Sequence, residues 1–484
     1  MWEQKRVYVI GAGKSGLAAA GWLQSQGAFV CLNEIKGEED LGEGAREELR
    51  ALAQRGVTLE FGAEADPMKW GAGLVLASPG VPLDLPGIRR AAEKGALVTN
   101  EVELGWQVSH AQAVGVTGSN GKTTVTSLIG RMMGDAGFQP FIGGNIGTPF
   151  IQAAPKLKET DWAVLELSSF QLAGILSFSP KVAVFLNLTP DHIDWHKSFA
   201  NYAEAKWAIA RFQGQEDWLV LNYDDPLLRE EGERRLREGE AYIYGREPVN
   251  GPRILWFSRR EKPGCGLHID QEGWAVYSAQ ASRGNEGAGA TEIAIMPVGE
   301  FSLPGSHNLE NLLAALGAGV ALGISPGLLR RSAGAFRAIE HRMEPVGEYG
   351  GVLYVNDSKA TNPDSLIKAL NSYSRPVLLI AGGDGKGAPF DEAAKAIAEK
   401  AKWAVLIGRD RDIIGDALLR QSFAGVLSAE SLQEAVRICR ERAEPGDIVL
   451  LSPACASYDM FQNYEERGRV FKEAVKSIHD ERRP

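Results

Sequence analysis

An α/β protein of three domains, each on a mainly parallel sheet, is what this chain is expected to form. Three observations carry that expectation. Its 484 residues exceed what one hydrophobic core usually serves, so about two to four domains are expected. Short apolar runs repeatedly end in glycine-rich turns that open into helical patterns, which is the punctuation of βαβ units. One stretch, from about residue 246 to 300, breaks the rhythm with short alternating runs such as Leu267-His268-Ile269, expected as a small antiparallel patch on the central sheet.

In the first hundred residues, strands are expected at 7–10, 29–32 and 74–77, with a helix running to about residue 26. Between the first strand and the helix stands Gly11-Ala12-Gly13-Lys14-Ser15-Gly16. That spacing suits a diphosphate, and Glu34 falls where a ribose-binding acid would sit. NAD, a nucleotide or sugar-nucleotide diphosphate, and a purely structural turn all stay open on spacing alone.

The central domain begins near residue 101. An apolar run at 113–116 leads into Gly118-Ser119-Asn120-Gly121-Lys122-Thr123-Thr124 and a helix pattern over 123–136. Glycines let backbone N–H groups point inward and the helix N-terminus favours negative charge. The lysine neutralises that charge, and a hydroxyl reaches Mg²⁺. Val116 stands where the strict P-loop pattern wants glycine, so the loop is a shorter version; an ATP or GTP phosphate site is expected. Two phosphate-type loops in one chain imply two different phosphorylated molecules.

Further central strands are expected at 163–167, 182–187 and 218–222, and a helix at 308–322. Glu166 ends the first of these strands. An unpaired buried carboxylate is costly, so it should meet a cation, and beside a phosphate loop that place suits a Mg²⁺ ligand. A carboxylate paired with a lysine at the sheet edge is the alternative. His192, crowded among acids in Asn187-Leu188-Thr189-Pro190-Asp191-His192-Ile193-Asp194, reads either as a metal ligand or as an ordinary structural histidine. Lys206 reads as a solvated helix lysine.

The third domain begins between residues 326 and 341, with strands at 377–381, 404–407 and 448–451. Asn356-Asp357-Ser358-Lys359-Ala360-Thr361-Asn362-Pro363 and Gly382-Gly383-Asp384-Gly385-Lys386-Gly387 each follow a strand. They are either common turns or loops that offer Lys359 and Lys386 to an anionic substrate.

Net charge is −10 with no basic run, which argues against nucleic acid or an anionic membrane as partner. Four scattered cysteines, Cys31, Cys265, Cys439 and Cys455, argue against a disulfide framework or zinc cluster and suit a reducing compartment. No apolar run approaches the roughly 20 residues of a bilayer span, and the first strand pattern leaves no room for a signal peptide. A soluble cytoplasmic protein is expected.

Taken in order, the motifs resemble the Mur ligase family of peptidoglycan precursor enzymes. They are Gly118-Ser119-Asn120-Gly121-Lys122-Thr123-Thr124, Gly143-Gly144-Asn145-Ile146-Gly147, Leu165-Glu166-Leu167-Ser168-Ser169-Phe170-Gln171-Leu172 and Pro190-Asp191-His192-Ile193-Asp194. His307-Asn308 with Asn311, His341-Arg342-Met343-Glu344 and Asp357-Ser358-Lys359-Ala360-Thr361-Asn362 complete the series. The run 165–172, and Leu451-Ser452-Pro453-Ala454-Cys455-Ala456-Ser457-Tyr458-Asp459, resemble the D-glutamate-adding branch. The Asp-Asn-Pro-Arg run of the branch that adds diaminopimelate or lysine is absent.

The resemblance implies a Rossmann-like domain over 1–101 that binds a UDP substrate. It implies a P-loop ATPase-like domain over 102–337 and a Rossmann-like, amino-acid-binding domain over 338–484. It also implies a reaction. ATP phosphorylates the alanine carboxylate of UDP-MurNAc-L-Ala, and the amine of D-glutamate attacks the acyl phosphate through a tetrahedral intermediate. A sibling ligase with another amino acid, or a folylpolyglutamate synthetase-like ligase, is the alternative.

By the same resemblance, ATP should meet Gly118, Asn120, Gly121, Lys122, Thr123, Thr124, Asn308, Asn311, Arg342 and Asp357. Two Mg²⁺ ions should be held by Thr123, Glu166, His192 and Lys206, the last as a carbamate, which replaces the solvated reading. Lys122, His192, Lys206 and Arg342 are the catalytic candidates. Gly13, Lys14, Ser15, Glu34, Ser78, Gly80 and Asn145 should take the UDP substrate, displacing the NAD reading. Lys359, Thr361, Lys386, Ser457, Tyr458 and Tyr464 should surround D-glutamate, with Tyr464 standing where the family often has phenylalanine. Domain closure and a monomeric state are expected.

Overall fold

The structure, a computed structural model, describes residues 2–243, 251–279, 291–337 and 340–480. The opening of the expected antiparallel patch at 246 and the expected domain boundary at 337/338 touch residues outside that set. The chain forms two compact units. One comprises Met1–Val298 with Glu310–Ala333, the other Gly299–Leu309 with Gly334–Pro484.

The first sheet contains β1 (Arg6–Ile10), β2 (Phe29–Glu34), β3 (Thr58–Phe61), β4 (Leu74–Ala77) and β5 (Leu97–Thr99), in the order β3-β2-β1-β4-β5. All its pairings are parallel. Ile10 pairs with both Asn33 and Ala77, so the loops after β1, β2 and β4 emerge at one edge. That edge is where ligands of such sheets bind. Gly16 permits the tight turn there, because a Cβ at this position would collide with the Gly11 carbonyl and the Ser78 hydroxyl.

The second sheet is built from β6 (Gln112–Thr117), β7 (Phe141–Gly144), β8 (Trp162–Glu166), β9 (Val182–Phe185) and β10 (Trp218–Asn222). It continues with β11 (Tyr242–Ile243), β12 (Arg253–Ser258), β13 (Gly266–Ile269), β14 (Trp274–Ala279) and β15 (Thr291–Pro297). The order is β15-β14-β13-β12-β10-β9-β6-β8-β7, with β11 on β12. The strand β6 lies inside the sheet, Val114 pairing with Val164 on one side and Val182 on the other. Strands covered on both faces need apolar residues at every position, which is why these segments read as unbroken hydrophobic runs. The antiparallel patch is present as β13-β14-β15.

The second unit holds β16 (Glu344–Tyr349), β17 (Val352–Asn356), β18 (Val377–Gly382), β19 (Ala401–Ile407), β20 (Val426–Ser428) and β21 (Ile448–Leu451). Their order is β16-β17-β21-β18-β19-β20, and only β16 runs antiparallel. Leu451 pairs with Asn356 and with Ile380. The loops 357–362, 383–387 and 452–459 therefore leave from one edge.

Within the first unit, Asn100 caps the helix Glu101–Val108 by accepting from the N–H groups of Val102 and Glu103. The Glu101 carboxylate accepts from the Ile151 N–H at 2.6 Å, while its other oxygen is buried without a partner. Burial pushes Glu101 up to about 7, against the lowering effect of the Ile151 and Phe150 N–H groups. Its folded state thus keeps a proton that the unfolded chain has already lost. The linked stability is fully present below the ordinary glutamate value and disappears as pH rises through about 7. Glu101→Gln should flatten the fall in thermal stability between pH 5 and 8, a linkage on the order of 3 kcal/mol. Unfolding midpoints across that range test this; an unchanged slope in the variant contradicts it.

Candidate active site

The strand β6 delivers its chain into the turn 118–121, and the helix Lys122–Asp135 starts directly after it. Gly121 adopts φ +88 and lies against Asn311, so a side chain there would collide with the Asn311 amide oxygen. Asn187, at the end of the neighbouring strand, clamps the turn. Its amide oxygen accepts from Asn120 N–H at 2.8 Å, and its amide donates to the Asn120 carbonyl at 3.1 Å. The Ser119 hydroxyl contacts the Thr189 carbonyl at 2.9 Å and the Tyr202 hydroxyl at 2.8 Å. Lys122 Nζ donates to the Gly118 and Ser119 carbonyls, each at 2.8 Å, which arches the ammonium over the loop's own backbone.

Thr123 and Glu166 face each other across the floor of this turn. The Thr123 hydroxyl donates to Glu166 Oε2 at 2.7 Å, and the Asn145 amide donates to Glu166 Oε1 at 2.9 Å. Glu166 is 1% exposed and Thr123 6%. Two hard oxygen donors held side by side next to a phosphate-type loop form the donor set that Mg²⁺ takes. Among the described residues, no three His, Cys, Asp or Glu side chains gather into a metal cluster.

Lys206, on the helix Phe199–Trp207, is not solvated. It is 2% exposed and donates to the Gly118 carbonyl at 2.8 Å, with its Nζ 4.8 Å from the centre of the Tyr202 ring. Its pKa lies well below the ordinary lysine value. Burial is the main cause and the neighbouring Lys122 adds to it, while Asp191 and Glu166 pull the other way. His192 takes a left-handed backbone at φ +53, and its ring lies 4.6 Å from that of Phe170. His196, a turn later, is buried and hydrogen-bonds Ser169 at 2.9 Å. Burial, then His192 and Lys206, push His196 down to about 4. These three side chains therefore share one neighbourhood. His196 and Asn187 lie within or beside the motifs above, yet nothing in their spacing marks them as site-forming.

At the edge of the first sheet is a cleft of about 640 Å³ whose lining includes Gly13, Glu34, Lys36, Ser78 and Gly80. The Glu34 carboxylate accepts from Ala12 N–H at 2.8 Å and from Lys36 N–H at 3.2 Å, and the Ser78 hydroxyl donates to the Gly11 carbonyl at 2.9 Å. Both side chains thus shape the glycine turn from within. Lys14 is exposed and Ser15 half-buried at the start of the helix Lys14–Ser25. The indole N–H of Trp195 donates to the Gly80 carbonyl at 3.0 Å, tying the His192 turn to this cleft.

In the second unit Asp357 is buried and pushed up to about 6. Burial is the main cause, opposed by Arg342, Met343 N–H and Ser452. It accepts from Met343 N–H at 3.2 Å and from the Ser452 hydroxyl at 3.0 Å. Arg342 Nε is buried without a hydrogen-bond partner. Lys359 sits 5.2 Å over the Tyr464 ring, and Thr361 is half-buried in the same loop. Lys386 is exposed on a left-handed backbone at φ +51. Ser457 is buried, whereas its neighbour Tyr458 is 72% exposed. Asn308 and Asn311 lie one turn apart on the helix Ser306–Ala321, both buried. Gly118, Asn120, Lys122, Thr123, Thr124, Glu166, His192, Lys206 and Asn311 belong to the first unit. Asn308, Arg342, Asp357 and the amino-acid candidates belong to the second.

Known proteins match this architecture along its length. Three family models cover the chain: a Mur ligase MurD-like N-terminal domain at residues 5–100, a Mur ligase middle domain at 116–319 and a Mur ligase glutamate ligase domain at 341–455. A UDP-N-acetylmuramoylalanine–D-glutamate ligase of Pelotomaculum thermopropionicum is 43% identical, over 98% of each chain. One from Koribacter versatilis is 40% identical, over 99% of this chain and 98% of its own. Among solved structures, a UDP-N-acetylmuramate-alanine ligase from Thermotoga maritima shares the fold at TM-score 0.59 and 18% identity, over 98% of this chain and 99% of its own. A MurF ligase from the same organism, in complex with ADP, does so at TM-score 0.57 and 17% identity, over 93% and 96%. Three sheets in this order, a glycine-lysine-threonine turn above a buried glutamate, and end-to-end identity to such relatives lead to one conclusion: the chain belongs to the Mur ligase family.

Proposed function

We propose that the protein is an ATP-dependent ligase that joins D-glutamate to UDP-N-acetylmuramoyl-L-alanine, forming ADP and phosphate in peptidoglycan precursor synthesis. The observation that carries the choice of amino acid is the match, over nearly the full chain, to relatives sharing that one activity in their names at 37% to 43% identity.

Residues 1–101 take the UDP moiety in the cleft beside Gly13, Lys14, Ser15, Glu34, Ser78 and Gly80. Residues 102–337 take ATP, with Gly118, Asn120, Gly121 and Thr124 presenting backbone and hydroxyl groups to the phosphates. Lys122 leaves its loop carbonyls for the β- and γ-phosphates, a small change of partner for a flexible side chain. Asn308 and Asn311 read the adenine, Asp357 the ribose, and Arg342, whose Nε is unpartnered, the γ-phosphate. Residues 338–484 take D-glutamate between Lys359, Thr361, Lys386, Ser457, Tyr458 and Tyr464, whose cations and hydroxyls suit two carboxylates. Asn145 meets the muramoyl substrate.

Thr123 and Glu166, with His192 and a carbamylated Lys206, would hold two Mg²⁺ ions, which spread the charge of the transferring phosphoryl group when bound. The chain's own task is alignment. It sets the alanine carboxylate in line with the γ-phosphate and then the amine against the acyl carbon, keeping water from the mixed anhydride. The protein works as a cytoplasmic monomer. Among the described residues, no helix is long and apolar enough to cross a membrane.

The purified protein, given UDP-MurNAc-L-Ala, ATP and Mg²⁺, should release phosphate on addition of D-glutamate. Preference for L-glutamate or another amino acid would overturn the assignment.

A further inference from the structure

Among the described residues, Arg467 is the largest fully buried side chain, 1% exposed. Burial pulls its guanidinium down to about 10. Taking such a group out of water is expensive unless each donor finds a partner. All of its nitrogens are engaged. Nε donates to the Ser358 hydroxyl at 3.0 Å, and Nη2 to the Ser358 carbonyl at 2.8 Å. Nη1 and Nη2 each donate to the Cys455 carbonyl at 3.1 Å, and Nη1 also reaches the Ala456 carbonyl at 3.4 Å. The Ser358 hydroxyl in turn donates to the Tyr464 carbonyl at 2.8 Å. Every acceptor is a neutral oxygen, and the network joins three separate segments.

The positions of those oxygens matter. Ser358 directly precedes Lys359, Ala456 directly precedes Ser457, and Tyr464 itself carries an acceptor. The guanidinium therefore grips the chain beside two of the side chains assigned to D-glutamate, on loops that leave the sheet at one edge, and through the Ser358 hydroxyl it reaches a third, Tyr464, one turn earlier on its own helix. We propose that Arg467 is the positioning residue of the amino-acid pocket, holding Lys359, Ser457 and Tyr464 at the spacing the incoming D-glutamate needs without touching it. This rests on the D-glutamate reading above. Only a planar fork of five N–H donors reaches this set; a lysine offers three donors from one point.

Arg467→Lys keeps the charge and loses the fork. The full-length variant should show the KM for D-glutamate raised about tenfold or more. The KM for UDP-MurNAc-L-Ala should stay within about twofold of the parent, because the cleft of the first sheet does not rest on this group, whereas ATP shares the Asp357–Ser358 segment and is no control. A merely structural role would lower the amount of active enzyme, and hence kcat, without that split. Ser358→Ala removes the acceptor of Nε and the donor to the Tyr464 carbonyl, and serves if Arg467→Lys does not fold. A several-fold rise in the D-glutamate KM but not in that for UDP-MurNAc-L-Ala is expected in the folded variant, together with a lower unfolding midpoint, because Nε loses its acceptor. Unchanged D-glutamate KM in a folded variant, or D-glutamate and UDP-MurNAc-L-Ala KM values that rise together, would overturn the proposal. Failure of the parent enzyme to use D-glutamate would instead overturn the functional reading.

Discussion

Glu166→Gln should lower phosphate release at least about 100-fold, roughly 2.7 kcal/mol of barrier, while leaving the fold intact. The substitution conserves volume in a site where the side chain is 1% exposed. Both hydrogen bonds also survive it. The new amide oxygen can still accept from Asn145, and the Thr123 hydroxyl can rotate to accept from the new amide nitrogen. Only the charge is lost. That charge is what a carboxylate at the end of β8, paired with a hydroxyl at the start of the helix Lys122–Asp135, offers a hard cation beside a triphosphate. Stabilisation of the protein by Mg²⁺ and ATP should shrink in parallel, which thermal unfolding with and without the ligands measures. Phosphate release within tenfold of the parent, in a variant with parental unfolding, would remove Glu166 from the chemistry.

Lys206 carries the second large effect. Burial and Lys122 favour its neutral amine, and a neutral amine can attack CO₂. The new N–C bond forms as one C=O π pair moves to oxygen, and the departing N–H proton goes to solvent, leaving an anionic carbamate. Activity should therefore fall in CO₂-depleted buffer and return on adding bicarbonate. Lys206→Met should lose about 100-fold or more and gain nothing from bicarbonate. Intact mass should show an increment of one CO₂ in active enzyme, and fully active protein with a bare amine would exclude the carbamate. The sign of the pH effect follows. The unfolded lysine keeps its proton up to its ordinary value near 10.5, whereas the folded one releases it earlier. Stability linked to this group is thus complete only above that value and drains away as pH falls toward the lowered one. Methionine at this position should abolish that dependence.

How much of this is readable from the chain alone varies with the physics. Strands inside parallel sheets announce themselves because both faces are covered: β4, β10 and β21 fall where the apolar runs place them. The strand β3, at a sheet edge and largely half-exposed, has no such run and leaves no trace. The glycine-lysine-threonine turn is legible because phosphate chemistry restricts its residues. Helical pattern alone misjudges Lys206, since its burial comes from a loop nearly ninety positions earlier in the chain. Arg467 is invisible for the same reason. It acts on backbone oxygens of distant loops, and carbonyls carry no mark in a sequence.

The indole of Trp195 ends on the carbonyl of Gly80, a residue at φ +92 that side-chain-bearing amino acids rarely tolerate. Gly80 also has no side chain that could be exchanged to rebalance the bond. A residue without an N–H donor at position 195 would leave that carbonyl to solvent, loosening the hold of the His192 turn on the cleft of the first sheet by about 1 kcal/mol.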